Sequence, residues 1–145
     1  MNTAHFRKLE RMYLQANFNT HIYTTTTVEI GEGVAEVGLT VEEKYFHTLG
    51  AIHGSVYFKL MDDAAFFAVN SLVEDVFVLT TQFSTNLIRP ANKGKLKAMG
   101  KVRFKSQNLF IADAYILNEE GKEIAFGTGH FAKSKFPLTE EIGYK

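Results

Sequence analysis

Residues 54–70 read GSVYFKLMDDAAFFAVN, a helical pattern that is apolar on almost every side. Small or apolar residues occupy most of the turns, and the residues in helical register are Val56, Leu60, Ala64, Phe67 and Ala68. A helix without a polar face has to lie inside the fold rather than on its surface. The rest of the chain must therefore surround a central helix over about 54–70.

Segments typical of β-strands lie on both sides of this helix. Thr20 to about Val41 predicts a hairpin that turns at Gly31-Glu32-Gly33, and four more predicted strands are Val76–Ile88, Leu96–Lys105, Leu109–Leu117 and Glu123–Ala132. The strong turns between them favour antiparallel pairing. We expect an α+β fold in which an antiparallel sheet curls over the central helix.

The two ends of the chain show different sequence patterns. Phe6, Leu9, Met12, Tyr13 and Ala16 have amphipathic spacing, which predicts a short helix over about 3–16. The tail after Ser134 is expected to be irregular. The 145 residues are the size of one domain, so we predict a single domain over 1–145.

Composition excludes several classes of function. The chain has 16 basic and 16 acidic residues, so its net charge does not favour a nucleic-acid or membrane partner. It has no cysteine, which excludes disulfides, thiolate metal sites and cysteine nucleophiles. His47 and His53 have no third ligand at a recognisable spacing, and no G-x-S-x-G elbow is present, so neither a metal site nor a serine hydrolase is predicted. Without a signal peptide or a long apolar run, a cytoplasmic protein is expected.

A glycine turn precedes the central helix and indicates a site for negative charge. Leu49 to Ser55 read LGAIHGS, so backbone N–H groups can converge where the helix begins. The amide dipoles of a helix add roughly half a positive charge at that end. Asp62 and Asp63 follow two turns later among apolar neighbours, and a carboxylate is rarely buried without a partner or a purpose.

Two motifs carry a resemblance to a known family. The first is His47-Thr48-Leu49-Gly50-Ala51-Ile52-His53-Gly54-Ser55, followed by Leu60-Met61-Asp62-Asp63-Ala64, and the second is Thr80 followed by Asn86-Leu87-Ile88-Arg89-Pro90-Ala91. Together they resemble the hotdog-fold thioesterases, in particular the PaaI-type acyl-CoA thioesterases. The resemblance implies a hotdog fold, with a curved antiparallel sheet wrapped around one long central helix. Ser55, Met61 and His47 differ from the residues usual at their positions.

The resemblance also implies roles for individual residues. Asp62 matches the catalytic carboxylate, as general base or nucleophile, and Gly54 matches the residue whose backbone N–H forms the oxyanion hole. His47 could orient water or the thioester, and Thr80 could hold the attacking water. His53 would mainly fix the turn, although it is expected to line the same catalytic site. The residues alone allow simpler explanations: an ion pair of the two aspartates with Lys59, a turn glycine, a loop histidine and an ordinary strand threonine.

A basic stretch is the second candidate for binding. Seven basic residues and no acidic one lie between Arg89 and Lys105, and from Lys95 onward they alternate, which puts them on one face of a strand. Such a face could hold the phosphates of coenzyme A, or it could be a solvated outer surface. We take Ser55, Phe58, Arg89, Lys93 and Lys95 as substrate-binding candidates, although Phe58, like Phe66 and Phe67, could simply be core.

The function predicted from the resemblance is hydrolysis of an acyl- or aryl-CoA to the free acid and coenzyme A. The family pattern implies a site shared between two chains, with Gly54 and His47 from one facing Asp62 and Thr80 from the other. A homodimer is then the minimum unit, and a tetramer built as a dimer of dimers is expected. No cofactor is implied beyond the coenzyme A of the substrate. The alternatives are a non-catalytic acyl-CoA binder or sensor on the same fold and, less well supported, an acyl-CoA dehydratase.

Overall fold

The computed structural model describes all 145 residues. Helix α1 precedes a hairpin, helix α2 follows it, and four strands complete the chain. The bounds are α1 Thr3–Gln15, β1 Thr27–Gly31, β2 Val34–Thr40, α2 Gly54–Asn70, β3 Val76–Leu87, β4 Lys95–Lys105, β5 Phe110–Leu117 and β6 Glu123–Pro137. A short π-helix covers Phe18–Ile22, and single 3-10 turns cover Glu43–Tyr45 and Glu140–Ile142.

All six strands form one antiparallel sheet in the order β1-β2-β4-β5-β6-β3. Four irregularities in strand register interrupt the pairing of β3 with β6, β4 with β5 and β5 with β6. Bulges of this kind increase the local twist, which helps the sheet to curve around α2. The α+β architecture predicted from the sequence is confirmed. Strand β3 lies at one edge, so its outer backbone groups have no partner strand.

Helix α2 is buried because it lies in the hollow of the sheet, where it contacts β4, β2, β5 and β3. Eleven of its residues are buried, including Leu60, Met61, Ala64, Ala65 and Ala68 with no exposed surface. Helix α1 adds Phe6, Leu9, Met12 and Tyr13 to the same core of 31 buried apolar residues. The predicted burial of the central helix is therefore observed.

A glycine permits the closest approach of helix and sheet. A Cβ atom placed on Gly100 in β4 would overlap the backbone carbonyl of Ala64 in α2 and crowd the amide of Ala65. Backbone atoms cannot move aside as the end of a flexible side chain can. Gly100 therefore sets the depth at which α2 lies in the sheet.

Two predicted boundaries were wrong. The hairpin begins at Thr27 rather than Thr20, because the threonine hydroxyls before it bond to nearby backbone: Thr20 Oγ1 donates to the Ala16 carbonyl at 3.3 Å and Thr26 Oγ1 to the Tyr23 carbonyl at 2.6 Å. The segment after Ser134 is not irregular at its start. Strand β6 continues to Pro137, since its end pairs with the start of β3.

We predict that Gly100→Ala destabilises the protein strongly, by about 3 kcal/mol or more, because overpacking against backbone costs at least as much as overpacking in a core. Gly31→Ala is the matched control, since its new Cβ would meet only the end of the Val34 side chain, at 3.1 Å. Urea unfolding measures both variants. Equal stability of the two would show that the approach of α2 to β4 is not the limiting contact.

Candidate active site

The rest of the chain leaves one stripe along helix α2 uncovered. Its members follow one another at spacings of three and four residues, and each is exposed or half-buried: Ser55, Phe58, Asp62 and Phe66. Apart from Gly54 at the helix start and Asp63, which are half-buried, the rest of the helix is buried. The stripe lies beside β3, where the ring of Phe58 meets that of Phe83 edge-on with 5.6 Å between centroids. Three of the predicted site residues, Ser55, Phe58 and Asp62, thus lie on the one helix face that the chain does not cover.

Asp62 and Thr80 are in direct contact. The Thr80 hydroxyl on β3 donates a hydrogen bond of 2.7 Å to Oδ1 of Asp62. Burial raises the pKa of Asp62 to about 6, the hydrogen bond from Thr80 lowers it, and the nearby charge of Asp63 raises it. The carboxylate is thus ionised at neutral pH but more basic than an ordinary aspartate, which suits a general base.

The start of α2 presents an unused donor. His53 caps the helix, and its Nδ1 accepts a hydrogen bond of 3.1 Å from the Ser55 amide. The amide one residue earlier, that of Gly54, donates to no group in the chain. The first amides of a helix have no acceptor within it, and the dipole adds to their positive potential. The Gly54 N–H is therefore free to bind an oxyanion.

His47 and Gly54 line a small cavity of about 290 Å³ together with Arg89. The His47 Nδ1 accepts a hydrogen bond of 3.1 Å from the Leu49 amide, which fixes the ring in the turn before α2. Arg89 donates to the Glu123 carbonyl at 2.7 Å. His53 does not line this cavity, so its place in the structure is that of the helix cap.

The predicted site residues therefore form two groups in one chain rather than one. Asp62 and Thr80 line a different cavity, of about 350 Å³, whose walls include Phe66 and Leu79. Gly54 and Asp62 are eight positions apart on one helix, which corresponds to about 12 Å along its axis. The two groups of a single chain cannot both contact the same thioester carbonyl.

The remaining binding candidates are dispersed. Ser55 lies on the exposed stripe next to Gly54, and Lys93 is exposed in the loop whose Ala91 carbonyl accepts from the Ile52 amide at 2.9 Å. Lys95 begins β4 on the outer, exposed face of the sheet. The alternation predicted for the basic residues is observed from Lys95 to Lys101. It fails beyond that point, because a register shift between Val102 and Phe104 turns Lys105 to the other face. None of these lysines lines the cavity that contains Arg89.

Asp63 belongs to a buried polar cluster that the sequence did not reveal. The Lys59 ammonium lies 3.0 Å from Oδ2 of Asp63 and donates to the Tyr13 hydroxyl at 2.9 Å and to Oδ1 of Asn19 at 2.6 Å. The Tyr13 hydroxyl in turn donates to Asp63 at 2.5 Å. The predicted pairing of Asp63 with Lys59 is present, but it lies in the interior and not on the surface.

Three aromatic rings surround the Lys59 ammonium, those of Tyr13, Tyr23 and Phe18, with centroids at 5.0, 4.5 and 5.6 Å. Cation–π contacts and the hydrogen bonds together compensate for the lost hydration of a buried ammonium. Burial lowers the pKa of Lys59 and raises that of Asp63, while their mutual attraction opposes both changes. The helical spacing of Lys59 and Asp63 was the only sequence signal for this cluster, and it did not indicate that Tyr13 and Asn19 complete it in the interior.

Comparison with known proteins decides the family. The sequence pattern of the thioesterase superfamily matches residues 49–125, which is more than half of the chain and includes both α2 and β3. The chain belongs to the thioesterase superfamily. No curated protein matches the sequence significantly.

Superposition on solved structures of similar proteins confirms the hotdog fold. The Escherichia coli PaaI protein of the phenylacetic acid degradation operon superposes with a TM-score of 0.84 at 22% identity, covering 94% of this chain and 98% of its own. A thioesterase from Haemophilus influenzae superposes with a TM-score of 0.72 at 21% identity, covering 85% and 87%. A thioesterase from Staphylococcus aureus, solved as a mutant, gives 0.72 at 21%, covering 79% and 99%.

Two further properties bear on the type of site. No three His, Asp or Glu side chains lie close enough together to hold a metal ion. None of the helices combines the length and the apolar character needed to cross a bilayer.

We predict that the Lys59–Asp63 pair is energetically coupled. Lys59→Met should cost about 3–5 kcal/mol, because it leaves the Asp63 charge buried without its partner. Asp63→Asn should cost less, since Asn still accepts from Tyr13. The double variant should cost clearly less than the sum of the two, as judged by urea unfolding. Additive losses would show that the pair is not the interaction that stabilises this cluster.

Proposed function

We propose that the chain is an acyl-CoA thioesterase that acts as a homodimer, with Asp62 as general base or nucleophile and the Gly54 N–H as oxyanion donor. One observation supports this more than the others. The free Gly54 N–H and the Asp62 carboxylate, which Thr80 binds, both lie on the uncovered face of α2. They are too far apart for one chain to bring both to the same thioester carbonyl. Superfamily membership supports the type of reaction.

The reaction needs two groups on opposite sides of the thioester carbonyl. Water, or the carboxylate itself, adds to the carbonyl carbon, and the oxygen becomes an oxyanion that the Gly54 N–H stabilises. If water attacks, Asp62 takes its proton while Thr80 holds the carboxylate in place. Collapse then breaks the C–S bond, the thiolate takes up the proton, and the acid and coenzyme A leave. If the carboxylate attacks instead, collapse expels the thiolate and leaves an anhydride with Asp62. Water then hydrolyses this anhydride, which releases the acid, restores the carboxylate and supplies the proton that the thiolate takes up.

A two-fold axis would complete the site. Such an axis pairs position i of one chain with j of the other and j with i. If Gly54 faces Asp62 of the second chain, the axis crosses α2 at the midpoint, Phe58. The neighbouring strand agrees. A Cβ on Gly54 would meet Leu87, and Asp62 binds Thr80. The midpoint of those two positions on β3 falls between Phe83 and Ser84, and the Phe83 ring packs on Phe58.

The same axis would use surfaces that the chain leaves open. The unpaired edge of β3 could pair with its own copy in an antiparallel ladder, and the exposed ring of Phe58 would be covered. Arg89 would lie at the His47–Gly54 side of each site, where its guanidinium can bind a phosphate of coenzyme A, with Lys93 nearby in the same loop. We propose no cofactor.

The first test measures thiol release from a panel of acyl- and aryl-CoA thioesters. Asp62→Asn should abolish release, and Gly54→Pro should lower kcat about 100-fold or more, because it removes the oxyanion donor. Proline suits the first position of a helix, and His53 already has the extended backbone that proline requires before it. Gly54→Ala keeps the N–H and is the control, expected to lose much less.

Mixing the two inactive variants tests the shared site. Asp62→Asn and Gly54→Pro chains, unfolded together and refolded, should regain about a quarter of the wild-type activity, since half of the dimers are mixed and each has one intact site. Sites within single chains would regain nothing. Stabilisation by coenzyme A without any thiol release would instead favour the acyl-CoA binder.

We also predict a pH dependence set by Asp62. Its pKa is raised to about 6, so kcat/KM should fall as pH drops below that value. The raised pKa means that the folded state disfavours the ionised form, so stability is lost as pH rises from about 4 to 6. Asp62→Asn should therefore melt higher than the wild type at pH 8, with the difference vanishing near pH 4. A difference that is constant with pH would contradict the assignment.

A further inference from the structure

The largest apolar cavity near the catalytic candidates lies behind Asp62, between α1, α2, β3 and the C-terminal residues. Its volume is about 650 Å³, and eight of its eleven lining residues are hydrophobic. Its characteristic side chains are Met12, Phe67, Phe77, Phe136 and Ile142. Phe136 is 65% exposed and Ile142 45%, so the groove is an apolar surface without a partner in the chain.

This groove is continuous with the Asp62–Thr80 cavity. Five residues line both: Tyr13, Ala16, Phe67, Phe77 and Leu79. The groove follows β3 from Thr80 back to Phe77, a length of about 10 Å at the usual rise per residue of a strand. Beyond Phe77 it reaches Phe136 at the end of β6. A molecule reacting at Asp62 thus has an apolar path of this length next to its reacting carbon.

The charges along the path define the class of occupant. Lys59, at the Asp62 end, has all its donors engaged by Asp63, Tyr13 and Asn19. The only charged residue lining the groove itself is Glu141. An anionic group would therefore find no cationic partner there, and a polar group would find little beyond the Gln15 amide. An uncharged hydrocarbon would bury apolar surface on binding.

We propose that this groove, the acyl groove, holds the hydrocarbon chain of the substrate, and that the preferred thioesters carry linear chains of medium to long length. The proposal rests on the proposed function for the position of the reacting carbon. The thioester would lie at Asp62, and the chain would pass Ala16 and run along β3 towards Phe136. Acetyl or other short groups would leave most of the groove unfilled.

A binding experiment tests the groove independently of turnover. The chain has no tryptophan, so Phe136→Trp introduces a single reporter at the far end of the groove. In an Asp62→Asn background, dodecanoyl-CoA below its micellar concentration should shift the emission to the blue and saturate, while acetyl-CoA and coenzyme A should not. Leu14→Trp places the reporter at an exposed position of α1 that does not line the groove, and its emission should respond to none of the three ligands.

A kinetic experiment tests the path. Ala16→Trp narrows the junction of the two cavities at an exposed position. It should lower the ratio of kcat/KM for dodecanoyl-CoA to that for acetyl-CoA at least tenfold relative to the wild type. Leu14→Trp should leave this ratio unchanged.

The outcomes separate the two proposals. A chain-dependent emission shift without thiol release from any thioester would support the acyl groove and refute the thioesterase. Thiol release with no chain-dependent shift and an unchanged ratio would refute the acyl groove alone. An emission change that follows protein concentration instead of acyl-CoA would also refute it and would identify the groove as a contact between copies of the chain.

Discussion

The close approach of α2 to the sheet at Gly100 is the contact on which the other features depend. Because no side chain separates β4 from the Ala64 backbone, the helix lies deep in the hollow and most of its sides are covered. Only one stripe remains, and Asp62 is part of it. A rigid helix then fixes the separation of Gly54 and Asp62, so the geometry of the candidate site follows from packing rather than from flexible loops.

Two adjacent carboxylates on this helix have different environments and so different chemistry. Asp63 turns towards α1, where Tyr13 binds it together with Lys59 from the preceding turn of α2, and its carboxylate is thereby engaged. Asp62, one residue earlier, has only the Thr80 hydroxyl as a partner and faces an open cavity. A pair of titratable groups whose environments differ in this way is typical of a site that needs one reactive carboxylate. Lys59 also limits the repulsion that Asp63 exerts on Asp62.

The sequence predicted the parts that depend on local pattern. The apolar periodicity of 54–70, the glycine turn before Gly54 and the alternation in β4 as far as Lys101 correspond to observed structure. It could not predict the hairpin start, because the hydroxyls of Thr20 and Thr26 bond to backbone carbonyls in local turns, and Thr25 reaches β2 through its hydroxyl and not through a backbone ladder. The Lys59 cluster and the acyl groove were missed for a different reason. Both form where α1 and the segment after it contact residues that are distant in the sequence, and no local spacing of residues indicates such contacts.

The two proposals together assign the halves of a substrate to different chains. The thioester carbonyl would lie between the Gly54 N–H of one protomer and Asp62 of its partner. The coenzyme would then extend past Arg89 of the first protomer, whereas the hydrocarbon would enter the acyl groove beside Asp62 of the second. Binding energy from both ends would therefore depend on the dimer, since neither protomer alone can hold both parts around one carbonyl. Chain-length preference and catalysis would thus be coupled through the same contact between the Phe58 stripes.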